Sequence, residues 1–221
     1  MKKKLSLILA LLVLSASLSA CSDEGDNFET RTYTPEGVTV SGIDVKVADR
    51  EILVIPSGDG QFHIDYAESA KEFYDISVSD SGILTMISES DKTWTDYIGG
   101  SKSADADQIT IQIPNTALSV LALRTTKEDI SLPALTVTDQ LALSTNGGNI
   151  SFENISAANS IALENKNGDI TGTIIGSYDD YAITCSIKKG ESNLPSAKGN
   201  GSKMLAAINN NGDIDIEFIN E

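Results

Sequence analysis

Five turn residues place side-chain oxygen at a regular interval: Asp129, Asn149, Asp169, Glu191 and Asp213. Carboxylate and amide oxygens are the ligands that a hard cation such as calcium takes, and stacked turns would set neighbours about 4.8 Å apart. Lys127, Lys166, Lys188 and Lys189 lie in the same turns and offset the charge, and short carboxylates also bond their own turn backbone. A calcium ladder on Asp129, Asp169, Glu191 and Asp213 is therefore the minor expectation, and a domain without metal or soluble cofactor the main one. Other chemistry is sparser. His63 is the single histidine, so His/Cys zinc chemistry lacks ligands and a catalytic triad has one base to draw on. In the run FHIDY it alternates with Phe62, Ile64 and Tyr66, which predicts a solvated surface position.

The elements that carry these turns repeat. LALRTTKEDI, LALSTNGGNI, IALENKNGDI, AITCSIKKGES and LAAINNNGDI align on the turn. Two apolar columns precede it: Leu121, Leu141, Ile161, Ile183, Leu205, and Leu123, Leu143, Leu163, Cys185, Ala207. Cys185 is thereby a packing residue rather than a reactive thiol. The glycines Gly148, Gly168, Gly190 and Gly212 step by 20, 22 and 22 residues, a period that marks a repeat architecture. Apolar residues alternate singly within each unit, as strands with one buried face do. Asn-Gly turns also suit hairpins, but a hairpin series does not require like residues to return at constant intervals, whereas stacked coils do. Leu135, Ile155 and Ile175 form a third column expected to fill another side of each coil, and the two extra residues fit a looser corner at Gly176–Asp180. The prediction is an all-β, single-domain β-solenoid of five coils, 20–22 residues each, stacked in chain order. From Val38 to Met86 and at Ile109, Ile111 and Ile113 the chain is again alternating, so residues 31–114 read as less regular strands or a capping layer of the same domain. A terminal coil needs such cover for its open edge.

At the amino terminus Lys2, Lys3 and Lys4 precede an apolar run from Leu5 to Leu14, and small residues lead to Leu18-Ser19-Ala20-Cys21. This is the layout of an export signal, and the apolar run is shorter than the ~20 residues a spanning helix needs. The four residues LSAC resemble the lipobox of bacterial lipoproteins. The resemblance implies cleavage between Ala20 and Cys21 and a diacylglycerol with further acyl chains, palmitate among them, on the Cys21 thiol. Residues 1–20 are then the signal peptide, 21–34 a flexible acidic tether with a reach of roughly 20 Å, and 35–221 the repeat domain. Loss of the signal removes three lysines from a chain of 16 basic and 32 acidic residues, leaving 13 against 32, a net −19. Nucleic acid is an unsuitable partner for such a surface. The polar stretch 88–107, with Trp94 and Tyr97, is the expected contact loop; an equal alternative is that these rings cover the apolar end of the solenoid.

With its signal, the strand ending at Ile113-Pro114, and Asn-Gly-Asp-Ile at 167–170 and 211–214, the chain resembles the bacterial adhesin-like family of β-strand repeat proteins designated DUF4097, over roughly residues 35–221. That resemblance implies a β-solenoid and no catalytic residues to carry over. Gly190-Glu191-Ser192 departs from the repeated Gly-Asp-Ile and predicts a distorted coil there. The expected function is a non-catalytic envelope lipoprotein, exported and lipid-anchored to the bacterial cell membrane or outer membrane, an adhesin or scaffold whose partner is an envelope protein or a glycan. Two alternatives stand beside it. One is a carbohydrate-active lyase or glycosidase, for which only Arg31, Arg50 and Arg124 and no marked carboxylate pair are available. The other is an envelope-stress or signalling partner.

Overall fold

The computed structural model describes residues 27–93 and 106–220. Cys21, Ala20, Trp94 and Tyr97 lie outside them. Seventeen strands are described: β1 (Glu29–Tyr33), β2 (Gly42–Lys46), β3 (Glu51–Pro56), β4 (His63–Glu68), β5 (Glu72–Val78), β6 (Ile83–Ser90), β7 (Gln108–Ile113), β8 (Leu118–Arg124), β9 (Ile130–Leu132), β10 (Leu135–Thr145), β11 (Ile150–Ala157), β12 (Ser160–Asn167), β13 (Ile170–Ile175), β14 (Tyr181–Lys189), β15 (Ala197–Lys198), β16 (Lys203–Asn211) and β17 (Ile214–Ile219). One 3₁₀ turn, Tyr178–Asp180, joins β13 to β14. The chain is all-β, its strands joined in one large mixed sheet.

The alternation explains both the strands and the core. In β12 the inward residues Ile161, Leu163 and Asn165 are buried while Ala162 and Glu164 are exposed. Parallel pairing then places like residues in line. Leu121 is opposite Leu141, Leu141 opposite Ile161, and Leu123 opposite Leu143 opposite Leu163. On the second face Ile130, Ile150 and Ile170 are in line. All of these are at most 2% exposed, and burying a Leu or Ile side chain contributes about 1.5–3 kcal/mol. The n + 20 register of the middle units is thus present as the repeat predicts.

Chain order fails at the ends. Ile161 is opposite Leu205, not Ile183, and Leu205 is in turn opposite Ile183. The last unit, β16–β17, therefore lies between β12–β13 and β14. The amino-terminal side mirrors this, with β2 between β6 and β8 and β3 between β7 and β9. The corner at Gly176–Asp180 rises two strand spacings, about 9.6 Å, which is why the extra residues enter there. Residues 31–114 hold two complete layers, not only a cap. Antiparallel strands cover the outer edges: β4 on β7, β1 on β4, β5 on β6, and β15 on β14.

The third column is also shifted by one. Ile155 is opposite Leu135 but pairs on its other side with Ile174, because β11 carries an extra residue between Phe152 and Ile155. Ile174 is the buried residue and Ile175 faces partly outward. Asn154, in the bulge, has φ 53° and is held there by mutual bonds with Thr173: its N–H donates to Thr173 Oγ1 at 2.7 Å and its Oδ1 accepts from that hydroxyl at 2.9 Å. A bulge of this kind re-aims the strand at its corner.

Candidate functional site

The oxygen ladder is real, and its geometry assigns one side-chain oxygen of each of Asp129, Asn149, Asp169 and Asp213 to the backbone. Asp129 Oδ1 accepts the N–H of Asn149 at 2.6 Å, Asn149 Oδ1 that of Asp169 at 2.9 Å, Asp169 Oδ1 that of Asp213 at 2.8 Å, and Asp213 Oδ1 that of Glu191 at 2.8 Å. Each side chain thereby bonds an orphan turn donor of the next layer. An amide oxygen serves as well as a carboxylate, which accounts for Asn149. Among the described residues no group of three or more His, Cys, Asp or Glu is arranged to hold a metal ion.

A second ladder, absent from the sequence-based columns, runs inside the turn. Thr125, Thr145, Asn165 and Asn209 are each 1% exposed. Thr125 donates to the Arg50 carbonyl at 2.7 Å, Thr145 to Glu128 at 3.0 Å, Asn165 to Gly148 at 2.8 Å and Asn209 to Gly168 at 2.9 Å. The signal lay in the units themselves, where Thr, Thr, Asn and Asn stand two residues beyond the second apolar column.

His63 is only 17% exposed, not solvated as the alternation predicted, and both ring nitrogens are engaged. Nδ1 is 2.8 Å from Thr34 Oγ1 and Nε2 is 3.0 Å from Asp59. The Gln61 backbone N–H, then the His63 ring and the Ser57 hydroxyl, hold the exposed Asp59 carboxyl below its ordinary 3.8, to about 2. A depressed carboxylate stabilises the fold fully above its unfolded pKa and loses that contribution as pH falls through the folded one. A carboxyl carbon NMR titration should therefore place Asp59 near 2, and Asp59→Asn should flatten the acid dependence of stability between about pH 4 and 2; a midpoint near 3.8 would contradict the turn geometry.

Two of the three arginines are engaged in ion pairs, whereas Arg124 is exposed and lines a small recess with Asp44 and Lys46. Arg50 is 1% exposed, paired to Glu72 at 2.7 Å, with Phe28 facing its guanidinium at 5.6 Å. Arg31 is paired to Glu68 at 2.7 Å. The recess bounded by Glu51, Asp65, Asp107 and Tyr66 does collect acids. Asp65 Oδ1 accepts from Thr32 at 2.6 Å and its Oδ2 from Gln112 at 2.8 Å, while Glu51 accepts from Gln108 at 3.0 Å.

Among the described residues a groove of about 650 Å³ runs along the corner where β7, β3, β9, β11 and β13 meet their loops. Pro56, Pro114 and Pro133 end three neighbouring strands there, with Leu135 and Ile175 continuing the apolar floor and Thr116, Thr138 and Asn154 at the rim. Proline supplies no ladder N–H, so each strand stops at the same corner. The groove crosses five layers, about 19 Å at the strand spacing. None of its sixteen lining residues is charged, although 22% of the chain is. It suits a neutral partner with apolar surface. The recurrent pairs Ile55-Pro56, Ile113-Pro114 and Leu132-Pro133 were the sequence signal for it.

A family model described as Toastrack DUF4097 matches residues 40–219. A solved structure of a candidate cell adhesion protein from Clostridium sporogenes is 12% identical, covering 87% of this chain and 99% of its own, with a TM-score of 0.55. A candidate adhesin from Bacteroides fragilis is 15% identical over 89% of this chain and 99% of its own, with a TM-score of 0.39. A search of curated proteins gave no match. The first structure shows the shared fold; no helix among the described residues is long and apolar enough to cross a membrane.

Proposed function

This chain belongs to the Toastrack DUF4097 family, and on that premise we propose that it is an exported bacterial lipoprotein whose β-domain is a non-catalytic binding module of the cell envelope. In this reading the paired layers are turns of a β-solenoid, residues 1–20 are removed and acyl lipid on Cys21 anchors the mature chain. The tether is shorter than the 21–34 expected from the sequence, because Glu29–Tyr33 pair with β4 as part of the domain, which leaves residues 21–28 to hold it near the bilayer. More than one acyl chain gives stable anchoring where one alone is marginal.

The observation that carries the binding role is the uncharged, proline-lined groove on an otherwise acidic protein. A site kept free of charge favours a neutral glycan or an apolar segment of an envelope protein, and disfavours the anionic polymers that the rest of the surface repels. The ion pairs that hold Arg31 and Arg50 and the hydrogen bonds that engage both Asp65 oxygens favour binding over bond cleavage.

A glycan array and hydrolysis assays on the full chain test this reading. Binding of neutral glycans, without cleavage, that falls at least about tenfold in Ala134→Glu is the expected result. Ala134 is exposed, so the new carboxylate charges the groove without disturbing the core. Hydrolysis lost on Asp65→Asn would replace the binding reading with the enzymatic one. For the anchor, Cys21→Ser should release the protein from membranes or leave its signal uncleaved; a processed, membrane-bound variant would refute lipidation.

A further inference from the structure

The carboxy-terminal layer leaves a strand edge, and one side chain sits in the place of its missing partner. β17 pairs with β13 on one side. On the other, the ladder begins as it would between layers: the Ile214 N–H donates to the Glu191 carbonyl at 2.9 Å and the Asn193 N–H to the Ile214 carbonyl at 3.1 Å. Ser192 makes an isolated parallel bridge to Ile214 there. The main chain then turns away at Leu194-Pro195, and the Asn193 side chain supplies the next two rungs. Its Oδ1 accepts the Ile216 N–H at 3.1 Å, and its Nδ2 donates to the Ile216 carbonyl at 2.9 Å and to Asp215 Oδ1 at 2.8 Å.

A primary amide presents one donor and one acceptor side by side, as a backbone peptide does. We propose that Asn193 is an edge guard: by filling both outward ladder positions of Ile216 it prevents β17 from pairing with β17 of a second copy of this chain. An open edge is a template for such pairing. A twofold contact would set the two β17 strands antiparallel. Centred on Ile216, it would place Asp215 of each copy opposite Glu217 of the other. These like charges oppose pairing and act as a second, weaker guard.

The expected behaviour separates the two. Native mass spectrometry on the full chain in detergent should find wild type and Glu217→Lys as monomers across the micromolar range. Asn193→Ala should show a concentration-dependent dimer, and the double variant Asn193→Ala/Glu217→Lys a dimer at least about tenfold tighter, since acid–acid pairs become acid–lysine pairs. A monomeric double variant would overturn the proposal, as would dimerisation of Glu217→Lys with Asn193 intact. Hydrogen exchange on the wild type gives a reading independent of any variant. The Ile216 amide should exchange at least about tenfold more slowly than that of Phe218, the next residue to face the edge; equal rates would mean that the amide does not occupy the ladder.

Discussion

Gly168→Ala is expected to lower the melting temperature by about 10 °C or more. Gly168 has φ +121°, and a Cβ there would lie 2.4 Å from the Gly148 carbonyl oxygen and 2.9 Å from Asn149 Oδ1. Both neighbours are ladder components fixed by the adjoining layer, so neither yields as a flexible side-chain tip would. Backbone strain of about 1–3 kcal/mol and overpacking of about 1–3 kcal/mol act together on a domain whose whole stability is about 5–15 kcal/mol. For a chain of this size each kcal/mol moves the transition by about 2–4 °C. The Gly168 carbonyl also accepts the buried Asn209 amide, so displacement of the turn propagates to the layer above. Differential scanning calorimetry reads the result; a shift under about 3 °C would mean that the turn accommodates a methyl group and that the layers approach less closely than described.

Ending the chain after Ser202 is expected to abolish the structure of β14 as well as of the deleted strands. The deletion removes Leu205, Ala207, Ile214 and Ile216, all buried, and core truncations cost about 2–5 kcal/mol for each Leu or Ile. It also takes away the only parallel partner that β14 has among the described residues, because β16 stands between β12 and β14. The amides of Tyr181–Lys189 should then exchange as in an unfolded chain, while β8, β10 and their neighbours stay protected. Layers in chain order would behave differently: β14 would rest on β12, and deletion of β16 and β17 would leave its protection intact. The two outcomes are distinguishable residue by residue.

Much of this architecture was legible before folding. The columns headed by Leu121 and Leu123 were found from period alone, because a strand's side chains alternate and a repeated strand can bury only the same alternate set. Cys185 fell into its column for the same reason. The acidic turn residues are legible too, with bonds to their own turn backbone as the expectation beside calcium; the turn they bond is the next layer's. A carboxylate in a turn has the same sequence whether it faces a cation or the N–H of the next layer, and the 2.6–2.9 Å bonds from Asp129 to Asp213 belong to the second case. The inner Thr/Asn column escaped because polar residues at a turn resemble solvated ones until the turn is stacked. The groove escaped because its prolines are 58 and 19 residues apart at Pro56, Pro114 and Pro133, a spacing with no periodic mark.

The sequence by itself determined the layer: two short strands, a glycine turn that only close stacking requires, and the residues that point inward. It could not determine which layer lies on which. Every unit offers its neighbours the same aliphatic columns and the same backbone ladder, so all stacking orders look alike to a local pattern. The tertiary structure decided among them through non-repeating parts. The Gly176–Asp180 corner is long enough to climb two layers, Ser192 replaces the repeated Ile where the chain must leave the stack, and Asn193 closes the edge that a continuing strand would have covered.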